Sequence, residues 1–285
     1  MIEAILHYEF LQNAFFSGLI IGVIAPLLGV FIVVRRLSLI ADALSHVTLA
    51  GIAGSLYVSQ SVAALAFLNP IYLGIIASVS GSILIERLRR LYKHYEELAI
   101  PIIMSGGIGM SAIFISLASG FNTDLMSYLF GSVSAVSRQD LLVVVTIAII
   151  VILFLVLFFK ELFVLSFDEE YAKASGLPAK SIHLLFMIVV ALVIAASMRI
   201  VGILLVSSLM TLPVAAAMRL AKGFKETIIL AIVFGELSVL IGLISAFYLN
   251  LAPGGTIVVT SIVILLIVIV AKKFYLKLTA KSKGV

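Results

Sequence analysis

The chain has no cysteine and no tryptophan, and only 12% of its 285 residues are charged. Without cysteine there is no disulfide, no thiolate metal centre and no cysteine nucleophile. No GxxxxGK followed by Ser or Thr occurs anywhere, so the chain carries no phosphate-binding loop of that type. Any ATP-driven work would fall to a separate subunit. HExxH is also missing, which counts against a polytopic membrane metalloenzyme. There is no evident internal repeat, and that weakens an ion-coupled secondary transporter built from inverted halves. No polar stretch is long enough for a soluble domain, so residues 1–285 read as a single unit.

What the chain has in abundance is apolar surface. Hydrophobic residues make up 63%, and the mean hydropathy is +1.30. A soluble domain is roughly half apolar and about a quarter charged. The sequence therefore specifies an all-α polytopic membrane protein. Its acidic start, MIEAILHYEF, does not read as a cleavable signal peptide. A spanning helix needs about 20 mostly apolar residues. Nine runs qualify, near 11–34, 37–59, 61–85, 98–119, 139–159, 181–198, 200–218, 226–249 and 254–271. Eight spans result if the two runs around Arg199 merge. FNTDLMSYLFGSVSAVS, residues 121–137, is too polar and short to cross and reads as an interfacial or re-entrant helix.

The net charge of +5 is distributed by side rather than clustered as a nucleic-acid footprint. Of nineteen Lys and Arg residues, seventeen fall in alternate connections and only Arg138 and Arg199 on the other side. The positive-inside rule then places the N-terminus outside and the C-terminus in the cytoplasm. Gly18 with Gly22, Ala50 with Gly54, and SGGIGMSA from Ser105 offer small faces for close helix packing. Pro26 and Pro213 are expected to kink their helices.

RRLSLIADALSHVTLAG, residues 35–51, sets an acid and an imidazole inside an apolar run. Asp42 and His46 are four apart, so a helix presents them on one face. A charge in hydrocarbon costs several kcal/mol on insertion scales and needs a partner or a wet cavity. Carboxylate and neutral imidazole are ligands for divalent transition metals. Two chains related by a two-fold axis would supply four such ligands. The plainer alternative is that Asp42 pairs with Arg36, or favours the helix N-terminus, while His46 bonds a carbonyl; spacing alone leaves both readings open. Glu236, in FGELSVLIG, is the other acid well inside a span; it lines the same cavity or bonds a neighbouring serine. His7 and His94 read as solvated, His183 as a residue at a span boundary, and Asp124 as a loop acid.

The loop SFDEEYAKASGLPAK, residues 166–180, reads as a short capped helix. Asp168 suits the N-cap, and Glu169 and Glu170 the positive first turn. Gly176 closes it in the left-handed conformation and Pro178 stops it. It is either a connector or a docking helix for a soluble partner.

These stretches carry a family resemblance. PLLGVFIVVRRLSLIADALSHVTLAG, LMSYLFGSVSAVS, the SFDEEYAKASGLP loop, VGILLVSSLMTLPVAAAMRL and SAFYLNLAPGGTIVV occur in order between about residues 10 and 262. Together they resemble the membrane-spanning subunit of the bacterial ABC importers for zinc and manganese. The resemblance implies a type II importer-like permease in the bacterial cell membrane, working as a homodimer. Its partners would be a cytoplasmic ATPase and an extracytoplasmic metal-binding protein. It implies no permanently bound cofactor, only a transported zinc, manganese or iron ion. Asp42 and His46 fall on the residues taken to hold the metal. Asp168, Glu169, Glu170, Tyr171, Ala172, Ser175, Gly176, Leu177 and Pro178 fall on the ATPase-coupling helix. SHVTLAG resembles the zinc branch, since manganese members more often carry a proline there, so zinc is the expected ion.

Overall fold

The structure is a computed structural model that describes residues 7–61, 69–92, 94–118 and 123–282. The start of the third apolar run, Asn122 and Lys93 lie outside the described residues. Among the described residues the regular structure is helical throughout. In chain order the α-helices are α1 Glu9–Val34, α2 Ser38–Ser61, α3 Pro70–Leu91, α4 Ala99–Leu117, α5 Thr123–Phe130 and α6 Arg138–Phe167. They continue with α7 Glu169–Ala174, α8 Ala179–Val201, α9 Ile203–Leu220, α10 Phe224–Leu249 and α11 Pro253–Ser282. Eight of these are long and apolar enough to cross a bilayer, and α9 is a shorter apolar helix.

α8 is the hub, packed by α1, α2, α3, α6 and α9, and most of its residues are buried. Phe31 and Phe186, both fully buried, meet edge to face at 6.2 Å where α1 crosses it. The outer faces of α6 and α11 carry the opposite pattern. Ile149, Leu153, Val156 and Leu157 of α6, and Val259, Val263, Leu266 and Ile267 of α11, are exposed. A water-facing surface does not hold contiguous apolar area on this scale; a lipid-facing one does.

The two runs around Arg199 are separate helices, α8 and α9. Arg89, near the end of α3, donates to His183 at the start of α8, while Arg199 at the other end of α8 reaches Asp140 at the start of α6. α9 then returns: Lys272 of α11 bonds the Arg219 carbonyl at its far end. The reversal turns on Gly202, at φ +85°, where a Cβ would lie 2.5 Å from the Leu129 carbonyl oxygen. Glycine alone fits both the dihedral and the space.

Of the 121–137 segment, the described residues from 123 on divide into α5 and a loop at 131–137. A capping box ends the loop, with Ser137 and Asp140 bonding each other's backbone N–H. Arg199 fastens it, donating to Asp140 Oδ2 at 2.5 Å and the Ala135 carbonyl at 3.2 Å, with its guanidinium 5.3 Å from the Tyr128 ring.

Element ends differ from the sequence expectations where caps override hydropathy. α3 begins at Pro70, preset for the first helical position, with Asn69 capping it. α6 continues eight residues past the apolar run, to Phe167. Pro26 and Pro213 are carried inside continuous helices. Within α6, Phe158 takes non-helical angles, φ −112° and ψ 17°, which no proline or glycine announces.

Candidate functional site

Asp42 and His46 stand in the first half of α2, about one turn apart, on the same strip as the exposed Leu39. Most neighbouring positions, including Ala41, Ala43, Leu44, Ser45 and Thr48, are buried against the bundle. The two polar side chains remain half exposed, and Asp42 is the charged neighbour of the imidazole. Among the described residues neither is hydrogen-bonded or ion-paired to another part of the chain. The pairing of Asp42 with Arg36, and a carbonyl partner for His46, are therefore not what the fold uses.

The backbone behind the pair is fixed by α4. A Cβ at Gly107 would lie 2.8 Å from Val47 N and 2.9 Å from the His46 carbonyl carbon. Below the pair, α2, α3 and α4 enclose an apolar groove of about 590 Å³ lined by Val47, Gly51, Leu73 and Met110. Its lining includes no His, Asp or Glu side chain.

Glu236 is not brought to the pair within the chain. α10 packs on α1, α9 and α11, and the Glu236 carboxylate faces Gly22. Its Oε1 is buried with no hydrogen bond, so the expected serine partner is not there either. Among the described residues no group of three or more His, Asp or Glu side chains is placed to hold an ion. Asp42 and His46 therefore stand as a pair, one carboxylate and one imidazole.

His183 is buried and held by protein. Arg89 Nη1 lies 2.6 Å from its Nε2, and Glu86 3.4 Å from the same atom. Arginine only donates, so Nε2 accepts and the imidazole is neutral. Arg89 also donates to Glu96 at 2.7 Å, and Arg90 to Glu86 at 3.2 Å. Sequence reading missed this cluster; three basic residues within one turn of α3 were its only local signal. His7 and His94 are exposed.

At the same end lies α7. Asp168 accepts the Tyr171 N–H at 2.8 Å. Gly176 takes φ +81°, and the pair Leu177 N–H to Ala172 O with Gly176 N–H to Lys173 O forms a Schellman ending. Ala172 is buried and Leu177 half-buried, which seats the helix, whereas Glu169, Glu170, Tyr171, Ser175 and Pro178 are exposed. Burial raises the Glu169 pKa, but the hydrogen bond and charge of Lys173, helped by Arg35 and Arg89, outweigh it and hold the carboxyl below its ordinary value.

Comparisons with known proteins agree with this architecture. The sequence model of the ABC 3 transport family matches residues 7–272. A protein of Treponema pallidum described as a probable metal transport system membrane protein is 38% identical over 251 residues, 88% of this chain and 91% of that protein. The manganese transport system membrane protein MntC of Listeria monocytogenes is 35% identical over 258 residues, 90% of this chain and 89% of its own. Among solved structures, a chain of PsaBC from Streptococcus pneumoniae in complex with Fab superposes with a TM-score of 0.82 at 32% identity, covering 98% of each chain. A family match across nearly the whole length, with relatives of this similarity, establishes that the chain belongs to the ABC 3 transport family.

Proposed function

We propose that this chain is the permease subunit of an ATP-driven importer of divalent transition metal ions, with Asp42 and His46 as the ligands that pass the ion along. The observation that carries the reading is the pair itself. It is an acid and an imidazole on one open strip of a spanning helix, neither of them committed to a hydrogen bond among the described residues. A polar pair in hydrocarbon without internal partners marks a substrate path by default.

Two ligands hold a transition metal poorly, and a second copy about a two-fold axis completes a set of two carboxylates and two imidazoles. Such a set takes manganese or zinc. MntC of Listeria monocytogenes is described as a manganese transport protein, which favours manganese over the zinc suggested by SHVTLAG. Energy comes from a separate cytoplasmic ATPase docked on α7, whose exposed and well-capped turn suits a rigid lever. The basic end faces the cytoplasm by the positive-inside rule, which puts the N-terminus outside, where an extracytoplasmic binding protein delivers the ion to a bacterial cell membrane.

The test is uptake of manganese and zinc by Asp42→Ala and His46→Ala variants expressed to normal levels, with the ATPase present. Both variants are expected to lose transport of the ion that the unaltered complex carries. Normal uptake of both ions by the His46→Ala protein sinks the assignment. Uptake driven by an ion gradient without ATP would replace the ABC reading with a secondary transporter.

A further inference from the structure

A polar cavity of about 250 Å³ opens between the α1–α2 turn, the end of α3 and the α6–α7 junction. Arg35, Arg36, Arg89 and Glu169 line it, with Ser166 and Phe167. Charge accounting shows which groups there are committed. Arg89 is held by Glu96 and His183, and the Glu169 carboxylate is 2.9 Å from Lys173. Arg36 is exposed and unpaired among the described residues. Arg35 is the telling group. Its Nη1 is buried and makes no hydrogen bond to the protein, and its guanidinium rests 6.0 Å from the Phe186 ring. Burial lowers its pKa, and Glu169, across the cavity, acts in the opposite sense. Arg35 itself lines the cavity beside the exposed Arg36, so an anion entering here would meet two guanidinium groups, neither of them paired with a carboxylate within hydrogen-bond distance among the described residues.

The position selects the anion. Val34, on its wall, is the last residue of the apolar run of α1, which sets that side of the cavity at headgroup level, while Leu165 to Phe167 belong to the part of α6 that continues past its apolar run. Phe167, 61% exposed, gives the mouth an apolar edge for an acyl chain. We propose that this cavity binds the phosphate of an anionic phospholipid headgroup through Arg35 and Arg36. Arginine forks match phosphate oxygens two at a time, and basic pockets between spanning helices at the membrane surface recognise such headgroups. The site does not depend on the transport reading. It would brace the turn that leads into α2, tying lipid composition to the helix that carries Asp42.

The experiment uses the full chain in nanodiscs of phosphatidylcholine alone, or of phosphatidylcholine mixed with phosphatidylglycerol. Retained lipid is read by native mass spectrometry and the unfolding midpoint by thermal scan. The unaltered protein is expected to retain phosphatidylglycerol over phosphatidylcholine. Arg35→Gln and Arg36→Gln should each lower that preference by about fivefold, and Glu169→Gln should raise it. Lys222→Gln, in the exposed α9–α10 turn, should leave it unchanged. Equal retention of both lipids, or no response to either arginine variant, overturns the proposal. Inorganic phosphate that stabilises the phosphatidylcholine sample as well as phosphatidylglycerol does would assign the cavity to free phosphate and overturn the lipid source. Unchanged lipid retention with lost ATPase co-purification in Arg35→Gln would assign it to an acidic side chain of the ATPase, and overturn it as well.

Discussion

The contact between α4 and the backbone at His46 gives the sharpest perturbation of the candidate metal path. A methyl group added at Gly107 would sit 2.8 Å from Val47 N, 2.9 Å from the His46 carbonyl carbon and 3.1 Å from Val47 Cα. All three are backbone atoms, so no side-chain rotation relieves the clash. Non-bonded heavy atoms settle at about 3.5–4.0 Å, so the helices must part by roughly half an ångström or more. Overpacking of this kind costs about 1–3 kcal/mol. If the strain is expressed in the geometry of the ligand pair, ion binding weakens by about 5- to 150-fold. Gly106 supplies the control, since a Cβ there meets nothing within 4 Å. Gly107→Ala and Gly106→Ala, reconstituted with the ATPase and matched for protein, are compared for initial rates of manganese uptake over a range of ion concentrations. Gly107→Ala should show a raised half-saturating concentration or lost uptake, and Gly106→Ala near-normal transport. Equal behaviour of the two would refute the idea that the α2–α4 contact sets the position of His46.

Three further expectations follow from other parts of the structure. Cysteines placed in this cysteine-free chain at Lys222 and Ser134 should be labelled by an impermeant maleimide from opposite sides, with 222 cytoplasmic; labelling of both from one side would contradict the return pass of α9. Gly176→Val meets no steric barrier, because nothing lies within 4 Å, but its φ of +81° costs a branched residue about 1–2 kcal/mol. That variant should weaken ATPase co-purification or uncouple hydrolysis from uptake, and unchanged assembly and transport would make α7 a connector only. Asp140→Ala strips Arg199 of its carboxylate in a pair whose side chains are 2% and 21% exposed, and should destabilise the detergent-solubilised protein by about 3–5 kcal/mol; an unfolding midpoint equal to that of the unaltered protein would show that the clamp on the α5 loop contributes nothing.

The sequence by itself determined the features that rest on neighbours along the chain. The apolar runs carried the spanning helices, because hydrogen-bonded backbone in lipid has few alternatives to a helix. The i to i+4 spacing put Asp42 and His46 on one strip. Asp168, Gly176 and Pro178 bounded α7, because caps act within one turn. Tertiary structure alone decided the relations across space: that Gly202 reverses the chain, that Glu236 faces Gly22 instead of α2, and that Arg35 is half-buried beside a cavity while Arg36 is exposed. It also decided that the irregular residue of α6 is Phe158. Helices apolar on all sides do not announce which face meets protein and which meets lipid, since the two surroundings are nearly equal in polarity. Their rotation is fixed instead by close fits such as Gly107 on His46 and Gly29 on the Met210 carbonyl, and those fits exist only once the whole bundle is assembled.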